Sequence, residues 1–414
     1  QASTYNAGEA FVVVNNYRNF DFKPYLFHTT NYGKSWSNLT KEDEVWTYTL
    51  SVVQDPEEPN LMFLGTDGGM YFSINRGQNW QKWTNNYPNV PTRDMMIHPR
   101  EHDLVIGTFG RAIYILDDIR PLRSLAKEGK AVLNQPAKLF NPPVAYQAVN
   151  QQPSGSRFGA NALFNGENRN PNAMISYLIN QPEQEEGKNE KEDEKSDEEK
   201  ISYDSLKLKI YTMEGELIRT LKKETPEDKG LHRMYWRMDE GGQRGPSRRL
   251  TKEDAEEPGG VDVLPGRYKL VLHFGEHKDS TEIEVKFDPR LDVNTTDLKA
   301  RYNFLKSLEK MQATAYEASQ RVLKAKETAD HYIKWMEEKD KKAFKEQIKA
   351  TQAIKDSLEV LFEPFVGEDF SDNQGIIRTP VPDIGDRIGN AYNYTASSFD
   401  KPGETQKRLK NQAK

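Results

Sequence analysis

The chain of 414 residues is long enough for two or three domains, each with its own hydrophobic core. Charged residues make up 29% of it and the net charge is -6, without a basic stripe, which argues against nucleic-acid binding. No apolar run approaches the roughly 20 residues of a membrane-spanning helix. The absence of cysteine suits either the cytosol or a bacterial envelope that avoids disulfides.

Two segments near the beginning share one pattern, in which a hydroxyl residue is followed by Asn, Gly and Trp at fixed spacing. They lie 44 residues apart, a period typical of four-stranded β-propeller blades. The hydroxyl and the Asn amide can hydrogen-bond the backbone of a tight turn, and Gly allows a positive φ there. Each Trp is expected to be a buried wedge against its own sheet. The positions are Thr29, Asn31, Gly33 and Trp36 in one segment, and Ser73, Asn75, Gly77 and Trp80 in the other.

The strands around these segments repeat as well. A short apolar strand ends in a Gly-Thr pair at Gly65 and again at Gly107, 42 residues later. Slightly under three blades therefore fit into residues 1–120. A propeller ring needs roughly four to eight blades, so we expect these residues to be the last blades of an incomplete ring. The remaining blades would come from a preceding segment of the same protein.

The two segments resemble the Asp-box of sialidases, sortilin-type sorting receptors and xyloglucanase-type glycosidases, with Asn where those families usually have Asp. The stretches 23–33, 90–99 and 107–118 closely resemble large bacterial sortilin-type propeller proteins. These are common in Bacteroidota and often labelled BNR-repeat glycosyl hydrolases. The resemblance implies an exported protein, located at the cell envelope (periplasm or outer-membrane surface) or secreted. Such proteins usually carry His where this chain has Phe109, so a role for that loop does not carry over.

Residues 121–172 are rich in Pro, Gly and Asn and are expected to form an extended crossover linker. Short alternating strands then predict an Ig-like β-sandwich over residues 173–289. The phrase at 264–268 and Trp236 resemble the immunoglobulin-like domain of flagellar hook-capping proteins. The sandwich is interrupted by an acidic loop, residues 183–200, which lacks the apolar residues needed to order itself.

The last part of the chain, residues 290–414, has the pattern of a helical hairpin or small bundle. Between Arg290 and Glu363 there is neither Gly nor Pro, and apolar residues recur at helical spacing. A break between the two long helices is expected between Thr328 and Asp340. The predicted fold class is therefore mainly β with an α-helical C-terminal part.

Candidate catalytic groups are few. Glycoside hydrolysis needs two carboxylates that face a cleft, and turn or cap roles would also explain the acidic residues at blade strands and their ends. Arg111 could point toward the central channel as a binding residue, or pair with a neighbouring blade. In the families that carry Asp-boxes these turns lie on the propeller rim, so we interpret them as structural. The acidic candidates are Asp67, Asp94, Asp117 and Asp118.

No metal or cofactor is predicted. His98 with His102, and His273 with His277, lack the three or four convergent ligands of a zinc site. The favoured interpretation is a non-catalytic exported scaffold or receptor that binds a protein, peptide or glycan. The alternative is an Asp-box glycoside hydrolase whose catalytic carboxylates lie mostly on blades outside this chain.

Overall fold

The computed structural model describes residues 1–148, 166, 168–180, 203–252, 255–367 and 381–413. It is mainly β with an α-helical C-terminal part, which confirms the predicted fold class. In the described ranges, propeller blades come first, a two-sheet sandwich follows, and four helices form the tail. The predicted acidic loop at 183–200 lies outside the described residues. Of the helices described, none is long and apolar enough to cross a membrane.

Three antiparallel sheets form the blades, and the second is a complete four-stranded blade. The first blade contains β1 (Ala10–Asn16), β2 (Asp21–Thr29) and β3 (Ser37–Asn38), with a 3-10 helix (Tyr17–Asn19) between β1 and β2. The second contains β4 (Thr49–Gln54), β5 (Met62–Thr66), β6 (Gly69–Ser73) and β7 (Gln81–Lys82). The third contains β8 (Thr92–Ile97), β9 (Leu104–Thr108) and β10 (Ile113–Leu116).

The strand registers of the first two blades correspond residue by residue. In the first blade Thr29 pairs with Ala10, and in the second Ser73 pairs with Met62. Because Thr29 and Ser73 begin the two repeated segments, β1 is equivalent to β5 and β2 to β6. The apolar residues between the first two blades form one buried core: Phe11, Leu26, Val45, Met62, Leu64, Tyr71 and Trp80.

The described residues 121–148 of the segment expected to be an extended linker contain more regular structure than the sequence suggested. It holds α1 (Arg120–Glu128), α2 (Lys130–Leu133), β11 (Ala137–Leu139) and β12 (Ala145–Gln147). Helix α1 forms because Pro121 suits its first turn and its apolar side chains Leu122, Leu125 and Ala126 are buried on one face. The two short strands join the sheets of the sandwich, so the sandwich begins before residue 173.

The sandwich packs a three-stranded sheet, in the order β11-β13-β16, against a five-stranded sheet, in the order β12-β20-β19-β14-β15. Trp236 is fully buried in its core and stacks edge-on with Tyr268 at 5.7 Å. The Tyr268 hydroxyl donates to the Leu264 carbonyl at 2.5 Å, a corner that fixes the strand start. Besides β11 and β12, the strands of these two sheets are β13 (Ala173–Ile179), β14 (Ser205–Thr212), β15 (Leu217–Glu224), β16 (Gly230–Trp236), β19 (Gly266–Phe274) and β20 (His277–Phe287). Strands β17 (Asp239–Gly241) and β18 (Gly259–Asp262) form a separate two-stranded sheet.

The tail consists of α3 (Thr295–Asp340), α4 (Lys345–Val366), α5 (Ile384–Ala396) and α6 (Glu404–Gln412). Asn294 caps α3 by accepting hydrogen bonds from the amides of Thr296 and Asp297. Helix α3 continues to Asp340, the far end of the range in which a break was expected. The tail docks on the sandwich through Glu309, whose carboxylate accepts from the Val261 amide at 2.9 Å.

Candidate ligand-binding face of the blades

The two repeated segments form the same turn. In the first, the Thr29 hydroxyl donates to the Asn31 side-chain oxygen at 3.0 Å and accepts from the Gly33 amide at 3.0 Å. The Asn31 side chain then accepts from the Ser35 amide at 3.0 Å. Gly33 has φ of 78°, which glycine adopts without strain. The Asn31 side chain therefore accepts the hydrogen bonds within the turn that the Asp of an Asp-box would accept.

The second turn repeats these bonds. Ser73 donates to Asn75 at 2.8 Å, the Gly77 amide donates to Ser73 at 2.9 Å, and the Asn79 amide donates to Asn75 at 3.0 Å. Gly77 has the same φ of 78° as its counterpart in the first turn. All of these bonds lie within the turns, which supports the structural interpretation of both segments.

The tryptophans of the two turns differ in burial. Trp80 is buried, at 6% exposure, and its indole nitrogen donates to the Leu39 carbonyl of the preceding blade at 3.1 Å. Trp36 is 45% exposed, and its indole nitrogen donates to Gly33 within its own turn at 3.1 Å. The prediction of a buried wedge is thus confirmed for Trp80 and wrong for Trp36. Trp80 is covered by a neighbouring blade, and no described part of the chain covers Trp36 in that way.

At the opposite end of the blades from these turns, the β1–β2, β5–β6 and β9–β10 hairpins meet the connections between blades. The Asp67 amide donates to the Tyr48 carbonyl at 3.2 Å, and the Phe109 amide donates to the Pro91 carbonyl at 2.9 Å. We call this end the aromatic face because large aromatic side chains stand exposed on it, Phe20 at 88% and Trp46 at 71%. Its exposed aromatic residues are Tyr17, Phe20, Phe22, Trp46 and Phe109.

Tyr48 packs against aromatic side chains of the aromatic face where the first two blades meet. Its ring stacks on Tyr17 at 5.1 Å and lies tilted against Phe22 at 6.1 Å. Burial, together with the hydrogen bond to Asp67, raises the pKa of Tyr48 to about 12. The tyrosine therefore stays neutral, and its hydroxyl donates a hydrogen bond to the Asp67 carboxylate.

Cations lie beside the exposed rings. The Lys82 ammonium is 5.5 Å from the Trp46 ring centroid, and the Arg93 guanidinium is 5.5 Å from that of Phe109. Arg111 is exposed in the β9–β10 hairpin, next to Gly110. Aromatic rings flanked by cations can stack on a flat ligand group and attract anionic ones.

The acidic candidates from the sequence are divided between the two ends of the blades. Asp67 and Asp94 lie toward the aromatic face, since Asp94 pairs with Gly107 close to the β9–β10 hairpin. Asp94 is exposed and accepts from the Met95 amide at 2.9 Å. The Asp67 carboxylate accepts a hydrogen bond from the Tyr48 hydroxyl, so both carboxylates have local partners.

Asp117 and Asp118 lie at the other end, after β10. Asp118 is buried and binds the Arg120 Nε at 2.5 Å at the start of α1. Burial raises the pKa of Asp117, and its backbone carbonyl accepts from Arg233 of the sandwich. These two residues join the last blade to α1 and the sandwich, and the structure does not bring them together with Asp67 and Asp94.

A concavity of about 330 Å³ lies between the sandwich and the helical tail. Asp262 and Arg301 line it, and burial lowers the pKa of Arg301. Arg301 donates to the backbone carbonyls of Thr395 at 3.3 Å and Ala396 at 2.9 Å. Because its donors are used to hold α5, we interpret this cleft as part of the interface between the two modules.

In the described ranges, no group of three or more His, Asp or Glu side chains has a geometry suited to a metal ion. The aromatic face was not predicted from the sequence. The signal was present, because Tyr17, Phe20 and Phe22 surround one hairpin turn where polar turn residues would be usual.

The solved structures named below are only weakly similar to this chain. No family profile matches the chain, and no curated protein matches it. Among solved structures it is similar to a GH74 xyloglucanase from Xanthomonas campestris, at 11% identity and a TM-score of 0.24, over 67% of this chain and 37% of the xyloglucanase. It is also similar to the extracellular domain of a protein described as a one-component system from B. thetaiotaomicron, at 10% identity and a TM-score of 0.16, over 70% of this chain and 36% of that one.

The chain thus spans little more than a third of the length of each of these two structures. Scores this low carry no argument about function. The specific resemblance to sortilin-type or BNR-repeat proteins stays a prediction.

Proposed function

We propose that this chain is part of a non-catalytic, exported propeller scaffold or receptor that binds a protein, peptide or glycan through the aromatic face. One observation carries the proposal: five large aromatic side chains stand exposed at one end of the blades, with Lys82, Arg93 and Arg111 on or near the same end. The proposal includes a cell-envelope or secreted location, and further blades from a preceding segment of the same protein.

Exposure of this extent favours an interface. Isolated exposed apolar residues are normal, but grouped ones rimmed by polar residues mark interaction sites. Tyr, Trp and Arg supply much of the energy of binding interfaces because they combine a large contact area with specific polar contacts. Both Trp46 and Phe109 have a cation over or beside the ring, which suits a ligand with flat or anionic groups.

The glycosidase alternative receives less support from these residues. Two catalytic carboxylates would need to flank the scissile bond, one of them as a general acid. The Asp67 carboxylate already accepts a hydrogen bond from the Tyr48 hydroxyl, and Asp94 accepts one from a backbone amide of its own strand. A catalytic pair would therefore depend on carboxylates from blades outside this chain.

The test is a binding screen of the full protein against arrays of peptides and of plant and host glycans, followed by titration calorimetry on each hit. Trp46→Ala and Phe109→Ala should each weaken binding about tenfold or more, since interface aromatics contribute on the order of 1.4 kcal/mol or above. The matched control is Trp335→Ala, an exposed tryptophan on α3. Binding that survives both face substitutions, or falls equally in the control, contradicts the proposal.

The same preparations are offered aryl glycosides and polysaccharides. No turnover is expected. Turnover that is lost on replacing Asp67 or Asp94 by Asn would establish the glycosidase alternative instead. Fractionation of the source cells checks the location, and recovery of the protein only from the cytoplasm would contradict export.

A further inference from the structure

The five-stranded sheet of the sandwich has one face in the core and one outer face. In β14 the side chains of Leu206, Leu208 and Ile210 belong to the core. Because side chains alternate along a strand, Lys207 and Lys209, which lie between them, are on the outer face. Two lysines of β14 therefore stand on the face that the core does not use.

Strand register extends Lys207 into a row of four basic side chains. Lys207 pairs with Lys222 of β15 on one side and with His273 of β19 on the other, and His273 pairs with Lys278 of β20. We call these four residues the cationic row, and its three lysines are exposed. Neighbouring strands lie about 4.8 Å apart, so the row crosses the sheet as a nearly straight line of about 14 Å. It is not a stretch of sequence, because each member comes from a different strand.

The lysines of the cationic row have no acidic partner. Within the part of the chain that the structure describes, neither they nor Lys209 form an ion pair. The ion pairs of this outer face lie further along β19 and β20, between Arg267 and Glu282 and between Lys286 and Glu284. Like charges directly opposite each other destabilise a sheet. A role in binding therefore explains the row better than a role in stability.

His273 gives a second, independent observation. Its Nε2 is shielded from solvent and has no hydrogen-bond partner among the described residues. Burial, together with the charges of Lys209, Lys278 and Lys207, lowers the pKa of His273. The imidazole in the middle of the row is thus mostly neutral at pH 7. A bound anion would offset the neighbouring charges, so the imidazole could take up a proton and donate a hydrogen bond to that anion.

The spacing of the cationic row indicates the class of ligand. A single phosphate or carboxylate contacts two neighbouring cations at most, whereas a linear polyanion can lie along all four positions. An extended acidic peptide places the carboxylates of one face about 6.8 Å apart, which does not match the strand spacing of about 4.8 Å. A sugar ring spans roughly one strand spacing, so a linear chain of acidic sugars fits the row better.

The side chains around the cationic row favour a polysaccharide over two other polyanions. Single-stranded nucleic acids bind by stacking their bases on aromatic side chains, and membrane-surface binding combines basic with large apolar side chains. The row contains neither kind. The next row, beside Lys209, contains Thr220, Val271 and Ser280. The two hydroxyls of that row can form hydrogen bonds with the hydroxyls of a sugar.

We infer that the cationic row is a second binding surface of this protein, which binds a linear polysaccharide with a carboxylate on each sugar ring. The lysines pair with successive carboxylates, and His273 Nε2 donates a hydrogen bond to one of them. The surface belongs to the sandwich and uses no residue of the aromatic face. Failure of the binding screen on the aromatic face therefore leaves this inference standing.

The test is titration calorimetry of the 414-residue chain with a long oligomer of galacturonic acid. Replacing both lysines of one opposed pair, Lys207→Gln with Lys222→Gln, should weaken binding about tenfold or more, since charge-assisted hydrogen bonds are strong. Added salt should weaken wild-type binding, because it screens exposed charges. The matched control, Lys269→Gln with Lys286→Gln, removes the same charge from the same outer face and should bind as the wild type does.

Two further measurements exclude a purely structural effect. In an NMR titration the oligomer should raise the pKa of His273, because the bound carboxylates offset the lysine charges that lower it. The signals of His331, exposed on α3, should not change. The row variant should melt at the wild-type temperature or above, because the substitutions relieve repulsion between opposed lysines.

Equal affinity of the row variant and the wild type would overturn the inference. So would a galacturonic acid monomer that binds as tightly as the oligomer, since the row would then hold a single anion. Tighter binding of polyglutamate, or of phosphatidylglycerol vesicles, would assign the surface to an acidic protein segment or to a membrane instead. Trp46→Ala should bind the oligomer as the wild type does, and loss of binding in that variant would place the oligomer on the aromatic face.

Discussion

Both carboxylate oxygens of Glu9 lie 2.6 Å from Nη2 of Arg76, which ties the first blade to the repeated turn of the second. Glu9 has no exposed side-chain surface, and His28 lies 2.7 Å from the same carboxylate. Arg76 has φ of 60°, as does Tyr32 at the equivalent position of the first turn. The turn of the second blade thus places the Arg76 side chain in contact with the first blade.

Replacing Glu9 by Gln should destabilise the blades. The change leaves the Arg76 guanidinium without its counter-charge, and breaking a buried pair costs about 3–5 kcal/mol. Because Arg76 is 39% exposed, solvent screening reduces the expected loss to below that range, about 2–3 kcal/mol. Urea unfolding at pH 7 measures it. The control is Glu42→Gln, which breaks the exposed pair with Lys23 and should change stability by less than about 1 kcal/mol.

The Glu9 carboxylate should also make the stability of the blades sensitive to acid. Burial alone would raise the pKa of Glu9, but the hydrogen bonds from Arg76 and His28 outweigh it and lower the pKa below the usual 4.5. A lowered pKa in the folded state contributes stability above pH 4.5, which is lost as pH falls through the folded-state value. The stability gap between the wild type and Glu9→Gln should therefore narrow below about pH 4.5. A gap that stays constant from pH 7 to pH 3 would show that Glu9 does not titrate as described.

The predictable parts of this fold are those that local chemistry determines. The repeated turns follow from the sequence because Thr29, Asn31 and Gly33 satisfy one another within five residues. The burial of Trp236 was also predictable, because a lone tryptophan among alternating strands packs into the apolar core between them.

The parts that failed depend on distant partners. Helix α1 was not predicted because its burial depends on residues of the blades and sandwich. Trp36 and Trp80 have the same local sequence pattern, and only the neighbouring blade distinguishes them. The aromatic face requires three hairpins to be aligned, which no single segment of sequence reveals.

The two turn tryptophans provide a matched pair for mutagenesis. Trp80→Ala should cost on the order of 3–5 kcal/mol, the usual range for truncating a buried aromatic residue. Trp36→Ala in the 414-residue chain should cost less than about 1 kcal/mol, because the ring is largely exposed. Thermal unfolding should show the Trp80 effect in the blades and leave the transition of the helical tail unchanged. Equal losses for the two variants would contradict the difference in burial.

The acidic stretch at 183–200 lies outside the described residues, so its dispensability stays a prediction. It holds ten carboxylates and four lysines and is almost free of apolar residues. Replacing it by a short Gly/Ser bridge should shift the melting temperature by only a few degrees, since solvated surface segments contribute little. Differential scanning calorimetry gives the answer, and a drop of 10 °C or more, on the order of 2 kcal/mol or above, would show that the segment packs on the folded part.

Arg123 joins α1 to the blades and should be the most sensitive cation of that junction. Its Nε donates to Asp55 at 2.9 Å, and its Nη1 lies 2.7 Å from His102 Nδ1. Arg123→Met removes the counter-charge of the fully buried Asp55 carboxylate, which keeps only the hydrogen bonds from the Glu57 and Glu58 amides, and this should cost about 3–5 kcal/mol.

Adding Asp55→Asn to Arg123→Met should recover part of the loss, because the uncompensated charge is then removed. A double-mutant cycle in urea measures this coupling. Lys127→Met, an exposed change on the same helix, is the control. Since Arg233 of the sandwich also binds the Asp117 and Asp118 carbonyls just before α1, loosening the helix should separate the unfolding of the blades from that of the sandwich. A cycle with strictly additive losses would show that the two charges stabilise the junction independently.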